Sequence, residues 1–130
     1  MERSLSGKKI LIVEGSLLAG QELEEAFIRT GAQVYLTGNI ISAFGLLRSV
    51  HFDGAVIDQG LHNEAFDLCS DLRELGIPDV CCTAPHRLQA PAVRTRDAGR
   101  VIRRLAERMA DLEVHPAQRA GAAPEKRVAA

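Results

Sequence analysis

The sequence predicts an α/β domain built on a doubly wound, five-stranded parallel sheet. Three observations carry this expectation. Short runs that are apolar at every position, such as Ile10-Leu11-Ile12-Val13 and Ala55-Val56-Ile57, mark strands buried on both faces, as parallel sheets require. Segments with helical spacing of apolar residues separate these runs, and a helix between two strands returns the chain to the same end of the sheet. The chain, 130 residues long, has the size of one domain around a single core.

The elements follow in order. Lys9-Ile10-Leu11-Ile12-Val13 is the first strand. Leu17, Leu18, Leu23, Ala26 and Phe27 form the expected inner stripe of a first helix whose outer side carries Gln21, Glu22, Glu24 and Glu25. Ser16 suits its N-cap, and Gly31 suits a left-handed stop after Thr30. Gln33-Val34-Tyr35-Leu36 reads as a second strand, and Asn39 caps a second helix that turns Ile40, Ala43, Phe44 and Leu47 inward and Arg48 to solvent. The third strand, Ala55-Val56-Ile57, ends at Asp58. A third helix over residues 64–75 is expected to bury Ala65, Phe66, Leu68, Cys69, Leu72 and Leu75, with Gly76 and Pro78 stopping it. Val80-Cys81-Cys82 is a fourth strand ending at Thr83. Only eight steps separate Thr83 from Pro91, so the fourth helix of the alternation is expected to be shortened or missing. A fifth strand at Ala92-Val93-Arg94 precedes a last helix over residues 100–112, with Val101, Ile102, Leu105, Met109 and Leu112 at helical spacing. The expected organisation is an extension over residues 1–7, a domain over 8–113 and a disordered tail over 114–130, where periodicity ends.

Composition removes several classes of function. Hydrophobic content of 46% and charged content of 25% are ordinary globular values. No apolar run approaches the ~20 residues of a membrane span, and the N-terminus lacks the apolar core of a secretory signal, so a cytoplasmic protein is expected. The net charge of −1 hides an acidic front (12 acids, 6 bases over residues 1–84) and a basic end (10 bases, 5 acids over residues 85–130). None of the five aromatic residues interleaves with the basic cluster, which argues against nucleic acid and for charge complementarity within the molecule or with a twin. Cys69, Cys81 and Cys82 read as reduced thiols packed as small hydrophobes. Cys82 and His86 lie four apart, but no second pair completes a zinc set. Gly15 and Gly20 have the spacing of a phosphate loop, yet Gln21 and Glu22 stand where that loop needs Lys and Ser or Thr. No nucleophilic triad is defensible either, and a non-enzyme is expected.

Ligands of open parallel sheets gather beyond the carboxyl ends of the strands, which here are Glu14 with Gly15, Asp58, Thr83 and Thr95. Taken alone, Asp58 is also a turn or cap residue, Glu14 a loop charge and Thr83 a strand-end filler. Together, Lys9-Ile10-Leu11-Ile12-Val13-Glu14, the run Phe52-Asp53-Gly54-Ala55-Val56-Ile57-Asp58-Gln59-Gly60-Leu61, and Gly76-Ile77-Pro78 followed by Thr83-Ala84 resemble the receiver domain of bacterial response regulators over residues 8–112. The resemblance implies a flavodoxin-like receiver fold of degenerate, single-domain type. It implies Asp58 as the acceptor of a phosphoryl group from a sensor histidine kinase, Thr83 as the hydroxyl that senses it, and Mg2+ held by Glu14, Asp58 and the main-chain carbonyl of Gly60.

Two departures weaken that site. Gly15 stands where receivers carry the second acid, a direct metal ligand, and Thr95 falls where they carry a lysine, with Arg96 in place of the following proline. Phosphoryl transfer to a carboxylate needs a cation against the charge clash, so inefficient phosphorylation and weak Mg2+ binding are expected. The alternative is a pseudo-receiver, an unphosphorylated protein-interaction module. With no effector domain after residue 113, either version is expected to act through a separate target protein. A homodimer through the last helix is expected as well: Val101, Ile102, Leu105, Met109 and Leu112 would meet a second copy, and Arg100, Arg103, Arg104 and Arg108 would pair with acids such as Glu22, Glu24 or Glu25.

Overall fold

The structure is a computed structural model and describes residues 5–61, 63–83, 93–94 and 98–114. Strands β1 (Lys9–Val13), β2 (Gln33–Thr37), β3 (Gly54–Asp58), β4 (Asp79–Thr83) and β5 (Val93–Arg94) alternate with helices α1 (Leu17–Arg29), α2 (Ile40–Ser49), α3 (Asn63–Glu74) and α4 (Ala98–Val114). A 3-10 turn, Gln59–Leu61, follows β3. Every strand pair is parallel, in the order β2-β1-β3-β4-β5. Instead of five full strands, the sheet has four of five residues each and a two-residue edge, Val93–Arg94, opposite Cys82 and Thr83. The expected loss of a fourth helix concerns residues 84–92, which fall outside the described residues, as does Thr95; of the expected tail over 114–130 only Val114 is described, and it belongs to α4.

The continuous apolar runs are explained by two cores. Side chains alternate along a strand, so Ile10, Ile12, Val56 and Val80 join Leu23, Phe27, Val101 and Leu105 on the α1/α4 face. Leu11, Val13, Ala55 and Ile57 join Ala43, Leu68 and Leu72 on the α2/α3 face. The core also begins before Lys8: Leu5 is fully buried, and Gly7 N–H donates to the Gly31 carbonyl at 3.0 Å. Gly31 sits at φ +93°, and a Cβ there would lie 3.1 Å from the Ser6 Cα, so both conformation and space call for glycine.

Three expectations about facing are corrected. On α1, the buried stripe is Ala19, Gly20, Leu23, Ala26 and Phe27, and Leu17 and Leu18 point outward, Leu17 at 72% exposure. On α3, Ala65, Leu68 and Leu72 set the inner line. Phe66, one 100° step around the helix, is 74% exposed, and Leu75 is exposed past the helix end. On α4, Val101, Ile102, Leu105 and Met109 are buried against the protein's own sheet, and of the expected dimer stripe only Leu112 is half-buried. Arg100, Arg103, Arg104 and Arg108 are exposed, and Arg108 pairs with Asp79 of its own chain at 3.7 Å.

The caps are local and placed by sequence. Ser16 Oγ accepts from Ala19 N at 3.3 Å, and Asn39 Oδ1 accepts from Ser42 N at 2.8 Å. Asn39→Ala is expected to lower stability by about 1 kcal/mol, read as a lower urea midpoint at constant slope, because a donor of the first turn loses its partner. An unchanged midpoint would mean the cap contributes nothing beyond what water supplies.

Candidate functional site

In a sheet of order 2-1-3-4-5, successive connections run in opposite directions from β1, and a crevice opens between the carboxyl ends of β1 and β3. Glu14 directly follows β1 and Asp58 is the last residue of β3. Both carboxylates are buried, Glu14 at 2% exposure and Asp58 at 0%.

Burial of a carboxylate is tolerated where hydrogen bonds replace water. Asp58 Oδ2 accepts from Gly15 N at 3.0 Å and Oδ1 from Gly60 N at 2.8 Å, so one main-chain donor comes from each side of the crevice. Glu14 Oε2 accepts from Ser16 N at 3.2 Å, and its own N–H donates to the Thr37 carbonyl at 3.0 Å, fixing the residue against β2. A Cβ at Gly15 would stand 3.2 Å from Asp58 Oδ2 and 3.8 Å from Leu61 Cδ2. Position 15 therefore aims at the Asp58 carboxylate, as a second site acid would. Asp53 does a different job: its Oδ2 accepts from Lys9 N at 2.9 Å, tying the start of β1 to the segment before β3.

The structure thus brings Glu14, Gly15, Asp58 and Gly60 to one end of the sheet, with Thr83 closing β4, the strand next to β3. Sequence reasoning missed Cys82, which it took as core filler. Cys82 lies opposite Asp58 in the β3–β4 register, and its Sγ is 3.8 Å from Glu14 Oε1. Burial first, then the charges of Glu14 and Asp58, push its thiol well above the ordinary range, so it stays protonated. The signal was present in its place next to Thr83, since the last residues of adjacent parallel strands share one rim. A cavity of about 240 Å³ opens beside Glu14, lined by Gly15, Ser16, Leu17, Leu36 and Thr37 among others.

No protein-family model matches the chain, and no curated protein matches it. Solved structures do. A response regulator from Thermotoga maritima aligns at 20% identity and TM-score 0.55, covering 59% of this chain and 66%, just under two thirds, of that one. A response regulator receiver domain from Francisella aligns at 19% identity and TM-score 0.55, covering 65% of this chain and 70% of that one. The chemotaxis response regulator CheY4 of Vibrio cholerae aligns at 14% identity and TM-score 0.60, covering 76% of this chain and 98% of that one. The fold is that of response regulator receiver domains. At these identities the likeness speaks for the fold, and the role of each residue rests on its own geometry.

Proposed function

We propose that this chain is a receiver that accepts a phosphoryl group on Asp58 from a sensor histidine kinase, inefficiently, and passes the signal to a separate protein without being an enzyme itself. The observation that carries the reading is the Asp58 carboxylate, buried at the strand-end crevice and oriented by the amides of Gly15 and Gly60. A carboxylate oxygen attacks phosphorus, the bond from phosphorus to the donor's imidazole nitrogen breaks, and the imidazole leaves with the electron pair. The two amides hold the nucleophile in place and afterwards face the oxygens of the acyl phosphate.

The donor set suits a hard divalent cation in part. Glu14 and Asp58 supply carboxylate oxygens, and the carbonyl of Gly60 is the third ligand of the receiver pattern, whereas position 15 supplies no side chain. When bound, Mg2+ would offset the charge that a phosphoryl dianion brings against these acids. Two features keep the reaction slow: the missing carboxylate at Gly15, and the amide donors that already draw on the lone pairs of both Asp58 oxygens. Thr83 is assigned the hydroxyl that senses the phosphoryl group, because it closes the strand next to β3.

Incubation with Mg2+ and acetyl phosphate, followed by intact mass, tests the reading. One phosphoryl-sized gain is expected on the wild type and none on Asp58→Asn, with both proteins folded by circular dichroism. A gain that survives Asp58→Asn moves the acceptor elsewhere. No gain with acetyl phosphate or with any histidine kinase supplied leaves the pseudo-receiver in its place.

A further inference from the structure

Strand β4 divides its cysteines between two surroundings. Cys82 turns into the α1/α4 core and is buried, whereas Cys81 is exposed and Cys69 of α3 is half-buried. The Cys69 sulfur, the Cys81 sulfur and a carboxylate oxygen of Asp79 all lie within 4.8 Å of one another. By pattern these thiols are small core hydrophobes; the fold makes two of them neighbours, one of which solvent reaches.

We propose that Cys69 and Cys81 form a peroxide-oxidisable dithiol, in which Cys81 is the sulfur attacked first and Cys69 the thiol that resolves it into a disulfide. Reactive cysteines are solvent-accessible, sit near cations and carry thiolate character, and a sensing pair adds a resolving thiol beside them. Each condition has a residue here. The two sulfurs lie within 4.8 Å of each other, and their interaction lowers Cys81 and raises Cys69. Burial and the Asp79 charge oppose the lowering of Cys81, and the charges of Arg108 and Arg73 add to it. Arg108 also holds Asp79 at 3.7 Å, which offsets the carboxylate nearest the two sulfurs. These two guanidinium groups work against a dication on the same three ligands and in favour of an anionic sulfur.

The chemistry closes without residue. The Cys81 thiolate attacks one oxygen of hydrogen peroxide; an S–O bond forms, the O–O bond breaks, and hydroxide leaves and takes up a proton as water. Cys81 is then a sulfenic acid and the peroxide has been reduced by two electrons. Cys69, giving up its proton, attacks the Cys81 sulfur; the S–S bond forms, the S–O bond breaks, and a second water leaves. The product ties α3, which follows Asp58, to β4, which ends at Thr83.

The test uses the full chain, reduced, desalted without oxygen and treated with a small excess of hydrogen peroxide. The expected result is a mass loss of about 2 Da, the two hydrogens of a dithiol oxidised to a disulfide, with the Cys69 and Cys81 peptides joined. Cys69→Ser should instead accumulate a dimedone adduct on Cys81. Cys81→Ser, and Cys81→Ala as a second folded variant, should react at least about tenfold more slowly, the loss expected when the thiolate is removed. Equal oxidation of wild type and Cys81→Ser overturns the proposal, as does the absence of a Cys81 adduct in Cys69→Ser. A stoichiometric metal found on the two thiols, with oxidation only after chelation, also overturns it and makes the cluster a metal centre.

Discussion

Leu105→Glu is expected to unfold the protein, not to dissociate a dimer. Leu105 is fully buried among Val56, Val80, Val101 and Met109. Its Cδ atoms come within 3.1 and 3.3 Å of where a Cβ on Gly54 would stand, so α4 rests directly on the glycine that opens β3. Truncating such a leucine costs about 2–5 kcal/mol, and placing a carboxylate in an apolar cluster adds several more. The sum is comparable to the ~5–15 kcal/mol that holds a domain together. Urea titration followed by circular dichroism should show no cooperative transition for Leu105→Glu, and a transition shifted by about 2–5 kcal/mol for Leu105→Ala. If Leu105→Glu melts like the wild type while its sedimenting mass falls, the stripe of α4 is an interface after all and its packing on β3 is wrong.

Gly15→Asp is expected to raise Mg2+ affinity by about tenfold or more, since it supplies the carboxylate that the octahedral oxygen set lacks. The backbone does not resist the change: positive φ is confined to Gly7, Gly31 and Gly76 among the described glycines. A Cβ at position 15 sits 3.2 Å from Asp58 Oδ2, close enough that Asp58 must yield by a few tenths of an ångström. Without the cation the substitution adds a third carboxylate beside Glu14 and Asp58, and stability should fall by about 1–3 kcal/mol from like-charge crowding. With the cation the loss shrinks by about 1.4 kcal/mol for each tenfold gain in affinity, because a ligand bound only by the folded state stabilises it according to its concentration relative to Kd. Thermal melts across a Mg2+ series should therefore converge: the variant is lower than wild type in chelator, begins to gain at a lower Mg2+ concentration, and gains more in total by saturation. Parallel curves would place position 15 outside the metal's reach.

Much of the path to the site was legible in the residues. Ile10 to Val13 and Ala55 to Ile57 read as doubly buried strands because every position is apolar up to the acid that follows them. Once alternation with helices makes the sheet parallel, Glu14 and Asp58 must lie on the same rim, whatever else the chain does. The caps at Ser16 and Asn39 were equally legible, since each is satisfied within one turn.

Facing and partnership were not. Whether Leu17 or Gly20 of α1 lies against the sheet depends on the rotation at which the helix docks. Gly20 lies inside, where a Cβ would come 3.0 Å from Leu36 Cδ1, and Leu17 is turned out; the apolar pattern reads the other way. Phe66 is lost to solvent by the same kind of step, and the α4 stripe, which by pattern suits a partner helix as well as a sheet, is spent on its own sheet. The contacts of Cys82 with Glu14 and of Cys69 with Cys81 likewise join residues from different elements. Hydrophobic period and chain order are properties of one segment at a time, so the sequence by itself determined the strands, their direction and the acids at their ends. The docking angle of each helix and the side chains that meet across β3, β4 and α3 minimise voids over the whole core at once, and only the tertiary structure decided them.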